Sequence, residues 1–249
     1  MLVAAGHQVL LHGRSPAKLE QAEATLCALP DGGRLDRHTC DLSNLAEVDA
    51  FARTVTDRHA SLDVLINNAG VYNAPDPVTA DGLDVRFAVN TIAPYLLTQR
   101  LLPLLGASGR VINLSSAAQS PVDPQALTGR VRLSAGAAYA QSKLAITMWS
   151  RHMALALKDR GPAIVAVNPG SLLGSKMVQE AFGVAGGDIR IGAEILTRAA
   201  LSDEFAAASG QYFDNDSGRF APPHPDGLEP RKADEIVRTI ETVLAKVMQ

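Results

Sequence analysis

Two cysteines, Cys27 and Cys40, with no CxxC pair between them, are all the thiol chemistry in this sequence. That excludes a disulfide framework and suits a reducing compartment, so a cytoplasmic location is expected. No apolar run approaches the roughly 20 residues needed to cross a bilayer, and Met1 to Gly6 are too few for a signal peptide. Nor is there a basic block: 26 acidic and 23 basic side chains are spread along the chain for a net charge of -3. Nucleic acid and anionic membranes are therefore poor candidates as partners, and a small molecule is the better one. The six histidines, at positions 7, 12, 38, 59, 152 and 224, show no ligand spacing, so no metal is expected.

What is present is enough apolar material for one substantial core: 47% hydrophobic against 20% charged over 249 residues. Short apolar runs alternate with longer amphipathic stretches, the pattern of a parallel sheet covered on both faces, which predicts a single α/β domain with a doubly wound sheet. Strands are expected over residues 9–11, 64–66, 111–114, 164–167 and 211–213, with 37–40 as a weaker edge. Ser15 before Pro16 starts a helix to about residue 26, and Ser43 with Glu47 opens a second toward Arg58. A longer helix is expected over 82–105, with Pro94 placed to kink it, and others over 137–158, 189–201 and 232–247. Residues 120–135 and 214–230, broken by proline and glycine, read as loops.

Four polar elements follow in order: Asn67-Asn68-Ala69-Gly70 after a strand, Asn90 in a helix, Ser115-Ser116 after a strand, and Tyr139-Ala140-Gln141-Ser142-Lys143 opening a helix. Residues four apart turn through roughly 400°, so Tyr139 and Lys143 share a helix face and can enter one pocket. A phenol with a reference pKa of about 10 becomes a usable acid or base beside an ammonium. Carbonyl reduction needs such a group, because hydride arrives at carbon while a proton must reach oxygen. Ser116 is placed to hold the same oxygen. Its surroundings lack the G-x-S-x-G elbow of a hydrolase nucleophile.

With these residues, and with Pro169-Gly170 after a later strand, the sequence resembles the short-chain dehydrogenase/reductase family over nearly its whole length. The resemblance implies a Rossmann-like fold and a hydride transfer between a nicotinamide cofactor and an alcohol or carbonyl substrate. It implies Tyr139 as catalytic acid/base, Lys143 as the residue that binds the nicotinamide ribose and lowers the tyrosine pKa, Ser116 rather than Ser115 as the substrate-orienting serine, and Asn90 as organiser of a water in the proton relay. Asp41 and Leu42 would lie beside the adenine, Asn68, Ala69 and Gly70 near the adenosine ribose, and Pro169, Gly170 and residues 171–175 beside the nicotinamide amide. At the end of strand 9–11 stands His12-Gly13-Arg14-Ser15, with a guanidinium and no carboxylate, which favours NADP(H) over NAD(H). Ser116 and Tyr139 lie 23 residues apart, and this insertion with the Ala-Tyr-x-Gln-Ser-Lys segment is similar to the retinol-dehydrogenase-like branch. A homodimer through the helices after Gly82 and Ala137 is a further implication.

The family opens with a strand, a glycine-rich turn and a helix N-terminus that receives the pyrophosphate. No counterpart is visible, and Leu2 to Gly6 resembles the end of that first helix. The first strand is therefore expected to be absent, with two strand edges left unpaired and cofactor affinity weakened. A start placed too far downstream, or a trimmed chain, is the expected origin. A non-catalytic binding or regulatory protein on the same scaffold is the alternative reading. The substrate is expected to be set by the loops at 120–135, 178–187 and 214–230.

Overall fold

Strand and helix alternate from the start in the computed structural model, which describes residues 1–29 and 33–248. β1 (Val9–Gly13) leads through α1 (Pro16–Cys27) to β2 (Leu35–Thr39), and α2 (Leu45–Arg58) leads to β3 (Val64–Asn67). A helical stretch follows, made of α3 (Val85–Phe87), a π turn (Ala88–Ile92) and α4 (Ala93–Leu101). Next come β4 (Arg110–Leu114), the short α5 (Pro124–Leu127), the long α6 (Ala135–Leu157) and β5 (Ala163–Asn168). The order ends with α7 (Lys176–Phe182), α8 (Ile189–Leu201), α9 (Asp203–Ala206), β6 (Tyr212–Asp214), β7 (Arg219–Phe220) and α10 (Pro230–Val247).

The strands form a sheet of order β3-β4-β5-β6-β7, parallel except for the β6–β7 hairpin, and a separate parallel pair β1-β2. Side chains on successive strand residues point to opposite faces. Val111 and Ile164 accordingly join a core with Phe87, Trp149 and Ile240, while Ile112 and Val165 join a second core with Ile195, Phe205 and Phe213. Two cores on two faces make the sheet doubly wound in a single α/β domain of Rossmann-like type. Inside it runs a chain of buried amides: the Asn67 side-chain amide donates to Asn113 Oδ1 at 2.7 Å, and the Asn113 amide donates to Ser150 Oγ at 2.7 Å.

Among the described residues no ladder joins β1 to β3, so the sheet is divided where the first strand was expected to be lacking. Val9 and Ile66 face the space between the two pieces, together with Met1, Leu2 and Val3. Val3 opens a 3-10 turn, Val3–Ala5, that ends in left-handed Gly6 with φ +84°.

Several boundaries differ from the sequence expectation for local reasons. Asn44, not Ser43, caps α2, because its Oδ1 accepts from Ala46 and Glu47 N–H while Ser43 is held by the Asp41 carboxylate. The helix expected from Gly82 begins instead at Val85, capped by Asp84, since Gly82 adopts φ +79° in a tight turn closed by Thr79 N–H to Leu83 O at 2.8 Å. Pro94 coincides with a π turn: it has no N–H to give the Asn90 carbonyl, and the preceding register widens so that Ala93 N–H reaches Ala88 O. α5 and the β7 edge lie inside stretches read as loops, because elements of two to four residues carry no measurable periodicity. α7 was not foreseen, since it is only seven residues long and its apolar side chains, Met177, Val178 and Phe182, line the cavity without being buried in the core.

A two-stranded ribbon is marginal by itself, whereas β4 and β5 are enclosed on both faces. Hydrogen exchange should therefore find the β1 and β2 amides opening at least about 100-fold faster than those of β4 and β5. Equal protection across all four strands would contradict this.

Candidate active site

The C-terminal ends of β3, β4 and β5 open on one cavity of about 1170 Å³, the position where open α/β sheets hold ligands. Asn68, Ala69 and Gly70 enter it after β3, Ser116 after β4, and Pro169 and Gly170 after β5. From the side, α6 contributes Tyr139 and Lys143. That helix starts at Ser134, whose Oγ accepts from Ala137 N–H at 3.4 Å, and the four-residue spacing brings both side chains to one face.

Lys143 is only 4% exposed. Its Nζ donates to the Leu114 carbonyl at 2.7 Å and lies 5.6 Å from the centroid of the Tyr139 ring. Burial alone pushes the ammonium down to about 8. The Tyr139 phenol moves the other way: burial raises its pKa above the ordinary value, the Ser116 hydroxyl opposes that rise, and the neighbouring Tyr72 adds to it. In the protein by itself burial therefore governs both groups, raising the phenol and lowering the ammonium.

The two adjacent serines separate cleanly. Ser115 is buried and its Oγ is committed to Lys143 O at 3.0 Å and Thr147 Oγ1 at 2.7 Å. Ser116 is half-buried at the cavity wall, where its Oγ accepts from Ala118 N–H at 3.1 Å, and Tyr212 OH donates to its carbonyl at 3.0 Å. Asn90 is 1% exposed within the π turn. Its Oδ1 accepts from Val71 N–H at 2.8 Å, and its amide donates to Val71 O and to Ser142 Oγ, each at 3.0 Å. Ser142 Oγ in turn donates to Tyr139 O at 2.7 Å, so Asn90 ties the turn after β3 to the helix that carries the phenol.

The mouth is apolar and aromatic. Tyr72 packs on Tyr139 at 5.0 Å and on Phe182 of α7 at 5.5 Å, with Met177, Leu172 and Ile189 beside them. The loop after β5 is fixed by residues that sequence reasoning had left without a role. Asp216 accepts from Ser171 N–H at 2.8 Å and Ser171 Oγ at 2.5 Å, and the Asn168 amide donates to both Asp214 and Asp216. The NDSG turn that holds Asp216 was the available signal. Residues 120–135, expected to shape the substrate pocket, instead pack Ala126 and Leu127 into the core with Ile236, and the lining comes from the segments around α7 and α8.

Arg14, Asp41 and Leu42 sit at the ends of β1 and β2 and do not line this cavity. Arg14 is exposed and has no ionic partner among the described residues. Asp41 Oδ1 is engaged by Ser43 N–H and Oγ at 2.9 and 2.8 Å. No described helix is long and apolar enough to cross a membrane.

The family model described as short chain dehydrogenase matches residues 1–183. Retinol dehydrogenase 13 of Homo sapiens is 31% identical over 228 residues, which takes in 84% of this chain and 69% of that protein. Retinol dehydrogenase 12 of Bos taurus is 36% identical over 181 residues, 71% of this chain and 57% of its own. Among solved structures, an uncharacterized protein from Mycobacterium paratuberculosis is similar with TM-score 0.74 and 26% identity, covering 94% of this chain and 83% of that one. Landomycin C-6 ketoreductase with bound NADP and rabelomycin is similar with TM-score 0.64 and 28% identity, covering 86% of each chain.

The buried ammonium carries a stability consequence. Unfolded, Lys143 titrates near 10.5, and folded near 8, so between those values the unfolded chain holds more protons and stability rises with pH. Below about 8 the whole penalty stands. Lys143→Met should therefore be more stable than wild type at neutral pH by up to about 3 kcal/mol, less about 1 kcal/mol for the lost hydrogen bond. The difference should shrink as pH rises toward 10.5. Urea unfolding at neutral and alkaline pH measures it, and a variant less stable than wild type at neutral pH would contradict it.

Proposed function

This chain belongs to the short-chain dehydrogenase family, and on that premise we propose that it is an NADP(H)-dependent oxidoreductase of lipophilic alcohols or carbonyls, with Tyr139 as general acid/base. The single observation that carries the proposal is that the Tyr139 phenol, the Lys143 ammonium and Ser116 border one cavity at the strand ends. The relatives named for retinol, together with the aromatic mouth of Tyr72 and Phe182, support a lipophilic substrate.

The residues present fit a dinucleotide on the nicotinamide side. Lys143 would hold the nicotinamide ribose, Pro169 and Gly170 the amide, Asn68, Ala69 and Gly70 the adenosine ribose, and Asp41 and Leu42 the adenine. The exposed Arg14 at the end of β1, with no carboxylate in its turn, suits a 2′-phosphate. When bound, the nicotinamide supplies the hydride for reduction or accepts it in oxidation.

The protein's own contribution is proton transfer and alignment. Ser116 Oγ donates a hydrogen bond to the substrate oxygen, and Tyr139 gives that oxygen a proton as carbonyl becomes alcohol. Because burial raises the phenol pKa, Tyr139 is in its acid form at neutral pH. Reductase activity should therefore hold at neutral pH and fall in alkali as the phenol ionises. Asn90 acts as a positioning residue, through Ser142, on the first turn of α6.

A panel of long-chain and polyene aldehydes with NADPH should reveal turnover. Tyr139→Phe should lower kcat by at least about 100-fold with NADPH affinity changed only a few-fold, and a variant with wild-type turnover would overturn the assignment. Arg14→Ala should cut the preference for NADPH over NADH by about tenfold, the worth of roughly 1.4 kcal/mol in lost phosphate contact. An unchanged preference would place phosphate recognition elsewhere.

A further inference from the structure

Far from the cavity in sequence role, one side-chain cluster has no part in the chemistry above. Asp36 and His38 lie two apart in β2 and so point to the same side of the strand, and α2 returns the chain so that His59, its C-cap, arrives beside them. We propose that Asp36, His38 and His59 form a binding site for one zinc-type divalent metal ion. The sequence expectation of no metal rested on the absence of local ligand spacing, and a site assembled from a strand and the far end of a helix has none to show.

The geometry is that of a ligand set. Asp36 Oδ2 stands 3.3 Å from His38 Nε2 and 3.5 Å from His59 Nε2, and the three ligand atoms lie within 4.8 Å of one another. Tetrahedral coordination with bonds of about 2.1 Å places neighbouring ligand atoms about 3.4 Å apart. Both imidazole Nε2 atoms are buried without a hydrogen-bond partner among the described residues, although the carboxylate oxygen is near enough in distance. Two lone-pair-bearing nitrogens and one carboxylate oxygen converging on a point, none of them paired off by a well-directed hydrogen bond, suit a cation at that point better than a proton shared by one pair.

The surroundings support it. The His38 side chain is 3% exposed, and its ring packs against Phe51 at 5.3 Å, which limits its rotation. His59 stands at the C-terminal end of α2, the negative end of the helix dipole. Imidazole with carboxylate selects zinc and its first-row neighbours over calcium or magnesium. Three protein ligands leave a fourth position for water, and the ion would clamp β2, the outer strand of the two-stranded ribbon, to α2.

The test uses the full chain, stripped with chelator, freed of it, and titrated with Zn²⁺ by calorimetry while amide exchange is followed. One ion per chain should bind saturably, and the β2 amides should gain protection. His59→Ala, at a half-buried helix end, should weaken Zn²⁺ binding by at least about 100-fold, beyond what losing an outer-shell partner costs, and Asp36→Asn should weaken it as well. Cys27→Ser should leave binding unchanged. The inference is overturned if the wild-type chain shows no saturable 1:1 binding, or if it binds Zn²⁺ equally well with His59→Ala and Asp36→Asn, which would assign the ion to other groups.

Discussion

A polar seam between α6 and the end of β4 holds the site together. Lys143, Thr147 and Ser150 follow one another along a single face of α6, and each meets β4 or the turn after it: Lys143 Nζ on the Leu114 carbonyl, Thr147 on Ser115, Ser150 on Asn113. Asn90 and Thr91 of the π turn grip the same helix from the other side through Ser142. Burying so many polar groups is tolerable only because each is satisfied, and that requirement gives α6 one rotation and one depth. The placement of Tyr139 at the cavity wall follows from it.

The same enclosure sets the electrostatics. Desolvation disfavours the charged form of either group, so it raises the phenol and lowers the ammonium. A buried lysine kept at a structural cost is hard to explain as packing alone, since an aliphatic side chain would fill the space without the penalty. Its remaining donors face a cavity large enough for a dinucleotide-sized ligand, which gives the cost a purpose in the proposed chemistry.

The divided sheet shapes the rest. The cavity extends from the apolar mouth at Phe182 to the space between Val9 and Ile66, so its walls come from both sheet pieces. The β1-β2 ribbon carries Arg14 and Asp41 at one end and the Asp36, His38 and His59 cluster along it. Whatever steadies that ribbon therefore bears on how Arg14 and Asp41 are presented.

The α/β class and the strands β3, β4 and β5 were legible in the sequence, because a strand of a parallel sheet covered on both faces reads as a largely apolar run, although β3 ends up at a sheet edge and only partly buried. The Tyr139–Lys143 pair was legible too, since helical spacing alone puts both residues on one face, and the ordered NNAG, Asn90 and serine elements gave it context. Tertiary structure decided what no local pattern encodes. Ser115 and Ser116 are chemically identical neighbours, distinguished only by which hydroxyl α6 engages. Asp216 reaches Ser171 across 45 residues. His38 and His59 meet because α2 folds back on β2. Periodicity and spacing record forces between neighbours along the chain, whereas these pairings depend on which surfaces are buried together once the whole chain has closed.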